Sequence, residues 1–275
     1  MDLMKRAPAV AGTFYQIDKG RLIKEIESCF SRAGVEIKEE NFKACVVPHA
    51  GYLYSGPIAA HVYSKIKKSN FIIIGPNHQP YGSKYSLMSY GEWKTPLGGV
   101  KINEKVAKEI LKCHLVKEDP ISHKYEHSIE VQLPFLQYRF GGEFTFVPLI
   151  LVNEYWPEFL EECRIIGKSI AKIIKKEKDK WIVISSSDFS HYVPEEYAHR
   201  VDNWVIESIL KLDEKEFFER IVEKKVSVCG FGGIMISIVV AKELGAKKGL
   251  LLKYGTSGEV AGKSSVVGYA GIIMK

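Results

Sequence analysis

One pattern constrains this chain more than any other. A short apolar run stops at a histidine-bearing loop, and this happens three times. The runs are Ala44–Val47, followed by Pro48-His49; Asn70–Gly75, followed by Pro76-Asn77-His78; and Trp181–Ile184, followed by Ser185–His191. Apolar runs of this length, bounded by proline, glycine or serine, read as buried strands. Stretches with apolar residues at helical spacing lie between them, so strands and helices alternate along the chain. That alternation specifies an α/β fold, a three-layer α/β/α sandwich around a mixed, largely parallel sheet. In such sheets ligands bind outside the carboxyl ends of the strands, where all three histidines fall.

The rest of the chain fits the same plan. Asp18 is placed to cap a helix running to Phe30, with Leu22, Ile23, Ile26 and Phe30 on one face. Helices are expected over Pro57–Lys67, Asn103–Cys113, Ser128–Phe140, Pro157–Lys175, Glu195–Leu210, Asp213–Val222 and Ile234–Leu244. Further strands are expected at Lys84–Tyr90, Phe144–Leu151, Ala246–Tyr254 and Ser265–Met274, the last two as neighbours and antiparallel. Met1–Tyr15 reads as irregular and Glu92–Gly99 as a Gly/Pro-rich turn. No linker, repeat or low-complexity stretch divides the 275 residues, so a single domain over 1–275 is expected.

Several function classes are disfavoured at once. The net charge is +6, and the lysines are mixed with glutamates, as in Lys172–Lys180. Such runs are solvated helix faces, which argues against a nucleic-acid partner. No apolar run approaches the ~20 residues of a membrane span, and no signal-peptide core follows Met1. The five cysteines, Cys29, Cys45, Cys113, Cys163 and Cys229, form no CxxC pair. That pattern fits a reducing cytoplasm rather than a disulfide scaffold.

If the three strands are parallel neighbours, His49, His78 and His191 converge on one sheet edge. Imidazoles held on loops of a rigid sheet are a common way to build a metal site. Cys229 opens the glycine-rich entrance to a helix, where the N-terminal dipole favours a thiolate, so it is a candidate ligand or nucleophile. Asp188, three residues before His191, could orient that imidazole as a carboxylate does for a general base. His123, His127 and Glu130 form a second polar cluster, in which Glu130 could orient His127 across a helical turn. Tyr52 and Tyr54 could line the pocket. A Ser–His–Asp hydrolase is disfavoured, because no GxSxG elbow is present and Ser185–His191 packs all three residue types into seven positions.

Six stretches carry a family resemblance: RAPAVAGTFY (Arg6–Tyr15), VVPHAGYLYSG (Val46–Gly56), GPNH (Gly75–His78), EHSIEVQLPFL (Glu126–Leu136), SSDFSHY (Ser186–Tyr192) and CGFGG (Cys229–Gly233). With them the chain resembles the Memo family, whose fold is similar to that of class III extradiol dioxygenases. The resemblance implies a metal at His49, His78 and Cys229, with His191, Asp188 and His127 as candidate acid/base residues. Those dioxygenases use two histidines and a carboxylate on Fe(II). A thiolate in the third position suits copper or zinc as readily as iron, so Fe(II) or Cu is expected, with Zn as the further candidate. The implied activity is metal-dependent redox chemistry on a small aromatic or phenolic substrate. The alternative is a non-catalytic adaptor that binds a short peptide in the same pocket, and a zinc hydrolase stands third. The family association with radical-SAM and AMMECR-type proteins implies a shared pathway.

Overall fold

A computed structural model describes residues 4–275. The first three residues of the expected irregular segment Met1–Tyr15 lie outside the described residues. In chain order the elements are β1 (Lys5–Arg6), α1 (Lys19–Ala33), β2 (Ala44–Val47), α2 (Tyr52–Tyr63), β3 (Asn70–Pro76), β4 (Tyr85–Leu87), β5 (Glu92–Thr95), β6 (Gly98–Ile102), α3 (Glu104–Ile110) and β7 (Lys117–Glu118). They continue as α4 (Leu133–Phe140), β8 (Thr145–Leu151), α5 (Pro157–Ile174), β9 (Trp181–Ser186), β10 (His191–Val193), α6 (Glu195–Leu210), α7 (Glu214–Lys224), α8 (Phe231–Glu243), β11 (Gly249–Thr256), α9 (Gly258–Ala261) and β12 (Val266–Met274).

The sheet runs β1-β5-β6-β8-β3-β9-β2-β12-β10. Its centre, β6, β8, β3, β9 and β2, is parallel. β12 is antiparallel to both β2 and β11, and β4 is antiparallel to β8. Helices α1, α2 and α4 pack together on one side of the sheet, and α3, α5, α7 and α8 on the other, with α6 against β11 and β12. This is the three-layer sandwich with a mixed, mostly parallel sheet that the alternation specifies. Covered on both faces, β2 and β9 are buried along their whole length, β2 apolar throughout and β9 apolar from Trp181 to Ile184 before ending in Ser185 and Ser186. Helix α8 is apolar all round and buried from Phe231 to Ala241, because it lies between the sheet and the outer helices α5 and α7. No helix among the described residues is long and apolar enough to cross a membrane.

Local chemistry fixes most element ends. The Asp18 side chain accepts the Arg21 N–H and opens α1, and Asn103 does the same for α3 through Val106. Three expectations are corrected. Glu92–Gly99 is not simply a turn: β5 and β6 pair as an antiparallel hairpin, with Thr95 opposite Gly98. Strand β1 pairs with β5 at its edge. Helix α2 starts at Tyr52 rather than Pro57, so Pro57 lies inside it. The proline removes a donor for the Leu53 carbonyl, and Arg32 Nη1 supplies one at 3.0 Å. The helix expected from Ser128 begins instead as a 3₁₀ turn at Glu130–Gln132, which passes into α4 with Pro134 in its first turn.

Candidate metal centre

Strands β3, β9 and β2 lie side by side and parallel, so the loops after them share one edge. His49 follows β2 by two residues, His78 follows β3 by two, and Asp188 follows β9 by two. The three share a sheet edge because their strands share a direction.

His49, His78 and His127 each offer a ring nitrogen, and these nitrogens lie within 4.8 Å of one another. The His49 ring stands edge-on to both others, and the His78 and His127 rings stack with centroids 4.6 Å apart. Phe14 closes the far side of His127, 4.8 Å between centroids.

The proton positions on His49 and His78 follow from their partners. Ser186 Oγ lies 2.6 Å from the Ser128 carbonyl, which can only accept, so the one hydroxyl proton goes there. Gln132 Nε2 donates to the same hydroxyl at 2.8 Å. His49 Nδ1, 2.9 Å from Ser186 Oγ, must therefore be the N–H donor, which leaves its Nε2 lone pair free. His78 Nδ1 faces Glu126 Oε1 at 2.9 Å and donates to it, again freeing Nε2. Both imidazoles thus turn a free Nε2 away from their hydrogen-bond partners.

Glu126 binds the site's two histidine loops together. Its carboxylate accepts the backbone N–H groups of His78 at 2.6 Å and of His127 and Ser128 at 2.8 Å. Burial pushes its carboxyl up, but the hydrogen bond and charge of His78, with His127 and the Ser128 N–H, hold it far below the usual carboxylate range. Burial likewise pulls His78 down, yet the Glu126 bond and charge outweigh it and lift its pKa. For His49 burial dominates, and charge on His127 and His78 adds to it, so the ring stays neutral and able to bind a metal. His127 is lowered for the same leading reason.

Cys229 Sγ lies 3.3 Å from His49 Nε2 and accepts the Asp188 N–H at 3.2 Å. The helix entrance does not make it acidic: burial, and then the Asp188 carboxylate, push its thiol well up. The S–H has two acceptors in reach, the free Nε2 of His49 at 3.3 Å and the Asp188 carbonyl at 3.6 Å. The residue is seated by Asn153, whose amide donates to the Cys229 carbonyl at 2.5 Å and accepts from Gly232 at 3.0 Å. Gly230 must be glycine here, since a Cβ would stand 2.6 Å from the Ser186 carbonyl. Asp188 Oδ1 takes the His49 backbone N–H at 2.8 Å, and burial pushes its carboxyl up to about 6 against that bond.

His191 stands apart from the three-histidine group. Its Nδ1 donates to the Ser227 carbonyl at 2.8 Å, so Ser227 rather than Asp188 orients the ring and its Nε2 is free. Glu130 does not reach His127 by a hydrogen bond. It accepts Arg6 at 2.5 Å, the Ala9 and Val10 N–H groups, and the Tyr15 hydroxyl at 2.6 Å. His123 is fully buried against Trp93, pushed down to about 3 by burial and then Arg6. Tyr52 is buried and donates to the Val131 carbonyl, while Tyr54 is exposed. Ser186, Ser187 and Ser190 donate their hydroxyl protons to the Ser128 and Asp188 carbonyls and to Asp202, so none is paired with a histidine as a nucleophile. Glu126, Ser186 and Gln132 have no role assigned from sequence alone. Adjacency of Glu126 to His127 is the one signal that points to it.

The profile of the Memo-like protein family matches residues 6–273. Among similar chains, a MEMO1 family protein of Methanosarcina barkeri is 46% identical over 272 residues, covering 98% of this chain and 100% of that one. One of Methanococcoides burtonii is 44% identical, with 98% and 100% covered. One of Saccharolobus solfataricus is 44% identical, with 97% and 98% covered.

Proposed function

This chain belongs to the Memo-like family, and on that premise we propose that it is a metal-dependent oxidoreductase acting on a small aromatic or phenolic substrate. The carrying observation is the set of three imidazole nitrogens within 4.8 Å of one another, with Cys229 Sγ beside His49. The donor chemistry fits a borderline metal: neutral imidazoles suit iron, copper and zinc, and a thiolate suits copper and zinc. In this reading His49, His78 and Cys229 would hold iron or copper, with His127 completing the set, and such an ion would supply one-electron and Lewis-acid chemistry. The chain's own residues do the rest. Glu126 and Ser186 keep the ligand rings in one tautomer. His191, with a free Nε2, exchanges a proton with the substrate, and Asp188 fixes the His49 backbone.

The test is metal content and affinity of protein purified anaerobically without chelator, beside His49→Ala and Cys229→Ser. Near-stoichiometric iron or copper, lost in both variants, supports the reading. Full metal affinity in both variants removes it. A second reading is a peptide-binding adaptor. It is favoured by the exposed aromatic side chains Tyr54, Tyr81, Trp156 and Tyr192, which follow β2, β3, β8 and β9 at the same sheet edge. It predicts peptide binding indifferent to chelation.

A further inference from the structure

Behind the loop that carries Glu126 and His127 lies a separate cavity of about 410 Å³, between residues 4–9 and the loop 120–125, with Met88 at its side. That volume is within the range of small-molecule sites.

Its chemistry is one-sided. Met4, Met88, Ile121 and Tyr125 give it an apolar surface, and Lys5 and Lys124 flank that surface. No aspartate or glutamate lines it among the described residues. Arg6 also lines it, but its charge is balanced by Glu130 at 2.5 Å. Lys124 Nζ rests 5.0 Å from the centroid of the Tyr125 ring, which keeps its charge beside the apolar surface. Three large apolar side chains that fold burial would normally remove from water remain open here: Met4 at 39%, Ile121 at 70% and Tyr125 at 56%.

The walls are fixed. β1 is paired to β5 through Lys5 and Glu92. Arg6 ties the two walls together, donating to the His123 carbonyl at 2.7 Å and the Glu126 carbonyl at 2.5 Å. Pro8 and Pro120 stiffen both sides. A preformed apolar cavity whose lining, among the described residues, holds lysines and no acidic side chain selects a ligand with an apolar body and a negative head.

We propose that this cavity is a binding site for a small organic anion, an aromatic or medium-chain carboxylate. The proposal does not depend on the metal reading. Its test uses metal-free full-length protein and isothermal titration with 2-naphthoate, with neutral 2-naphthamide as comparator. The variants are Lys124→Glu and Ile121→Asp, both at exposed positions, with Tm measured as a folding control, and His49→Ala. One saturable site per chain is expected, weakened about tenfold or more by Lys124→Glu through charge reversal. Ile121→Asp and the amide also weaken it, and His49→Ala leaves it unchanged. Absence of saturable binding at millimolar naphthoate overturns the site. Equal binding by the amide overturns the anion assignment. Loss in His49→Ala, or indifference to both cavity variants, places the binding elsewhere and overturns it too.

Discussion

His78 and Glu126 are joined twice: the carboxylate takes the ring Nδ1–H at 2.9 Å and the backbone N–H of the same residue at 2.6 Å. The same group also takes two N–H donors from the His127 loop. One side chain therefore sets both the tautomer of His78 and the spacing between the two histidine loops.

Glu126→Gln should lower metal affinity by roughly 10–100-fold, the usual effect of removing the partner of a ligating histidine. The amide can accept some of the four donors but turns its NH₂ toward others. ¹⁵N shifts of His78 in the metal-free variant should show the Nδ1–H tautomer no longer dominant. A variant with unchanged tautomer and unchanged affinity would count against the role given to Glu126.

Metal uptake should release a proton. With His49 Nε2 facing Cys229 Sγ at 3.3 Å and the thiol pKa raised by burial, a metal ligated by both would displace the thiol proton. Titration calorimetry at neutral pH in two buffers of different ionisation enthalpy should give about one proton released per metal. Cys229→Ser should release clearly less, the remainder coming from His78, whose pKa the Glu126 bond raises. Equal release from both proteins would mean the thiol is not a ligand.

Arg6→Met should cost about 3–5 kcal/mol, the range for breaking a buried ion pair on one side. Glu130 would keep the Ala9, Val10 and Tyr15 donors but lose its cation. Adding Glu130→Gln should recover part of the loss. Urea unfolding of the two variants decides this, and a single-variant loss below about 1 kcal/mol would contradict it.

Stability should depend on pH through Asp202. Burial pushes its carboxyl up to about 6, against hydrogen bonds from Ser190 and Tyr254. The folded pKa is raised, so this group's contribution is complete below about pH 4 and is lost as pH rises through about 6. Asp202→Asn keeps the shape and can still accept from Ser190. Unfolding free energies of wild type and variant, measured at pH 4, 5, 6 and 7, should diverge in that window. The variant's relative stability should rise by up to about 3 kcal/mol. A constant difference across pH would rule out the shift.

Most of the layer plan was legible because it depends on apolar runs such as Ala44–Val47 in β2 and Trp181–Ile184 in β9, which strands covered on both faces require. The caps at Asp18 and Asn103 were legible because a side-chain acceptor beside a periodic stretch has a local effect. The hairpin β5–β6 was not. Its strand Glu92–Thr95 alternates half-buried and buried positions around Pro96 and Gly98–Gly99, a pattern that reads as turn chemistry. His49 and His78 stood out as histidines at strand ends. Glu126 and Ser186 did not, since a carboxylate and a hydroxyl acquire their meaning from partners 48 and 137 residues away. Glu130 misled for a related reason: helical spacing put it near His127, but a 3₁₀ turn and the pull of Arg6 directed it to the N-terminal segment.

Strand β2, which carries His49, is held on one side by β9 and on the other by the last residues of β12. Cys229 also arrives late in the chain. The pairing that positions His49 is therefore built from segments far apart in the chain, 44–47, 181–186 and 272–274. In the proposed metal reading the ion would enter only after those segments have met, through the side on which His78 is exposed, so that loading would follow folding rather than drive it.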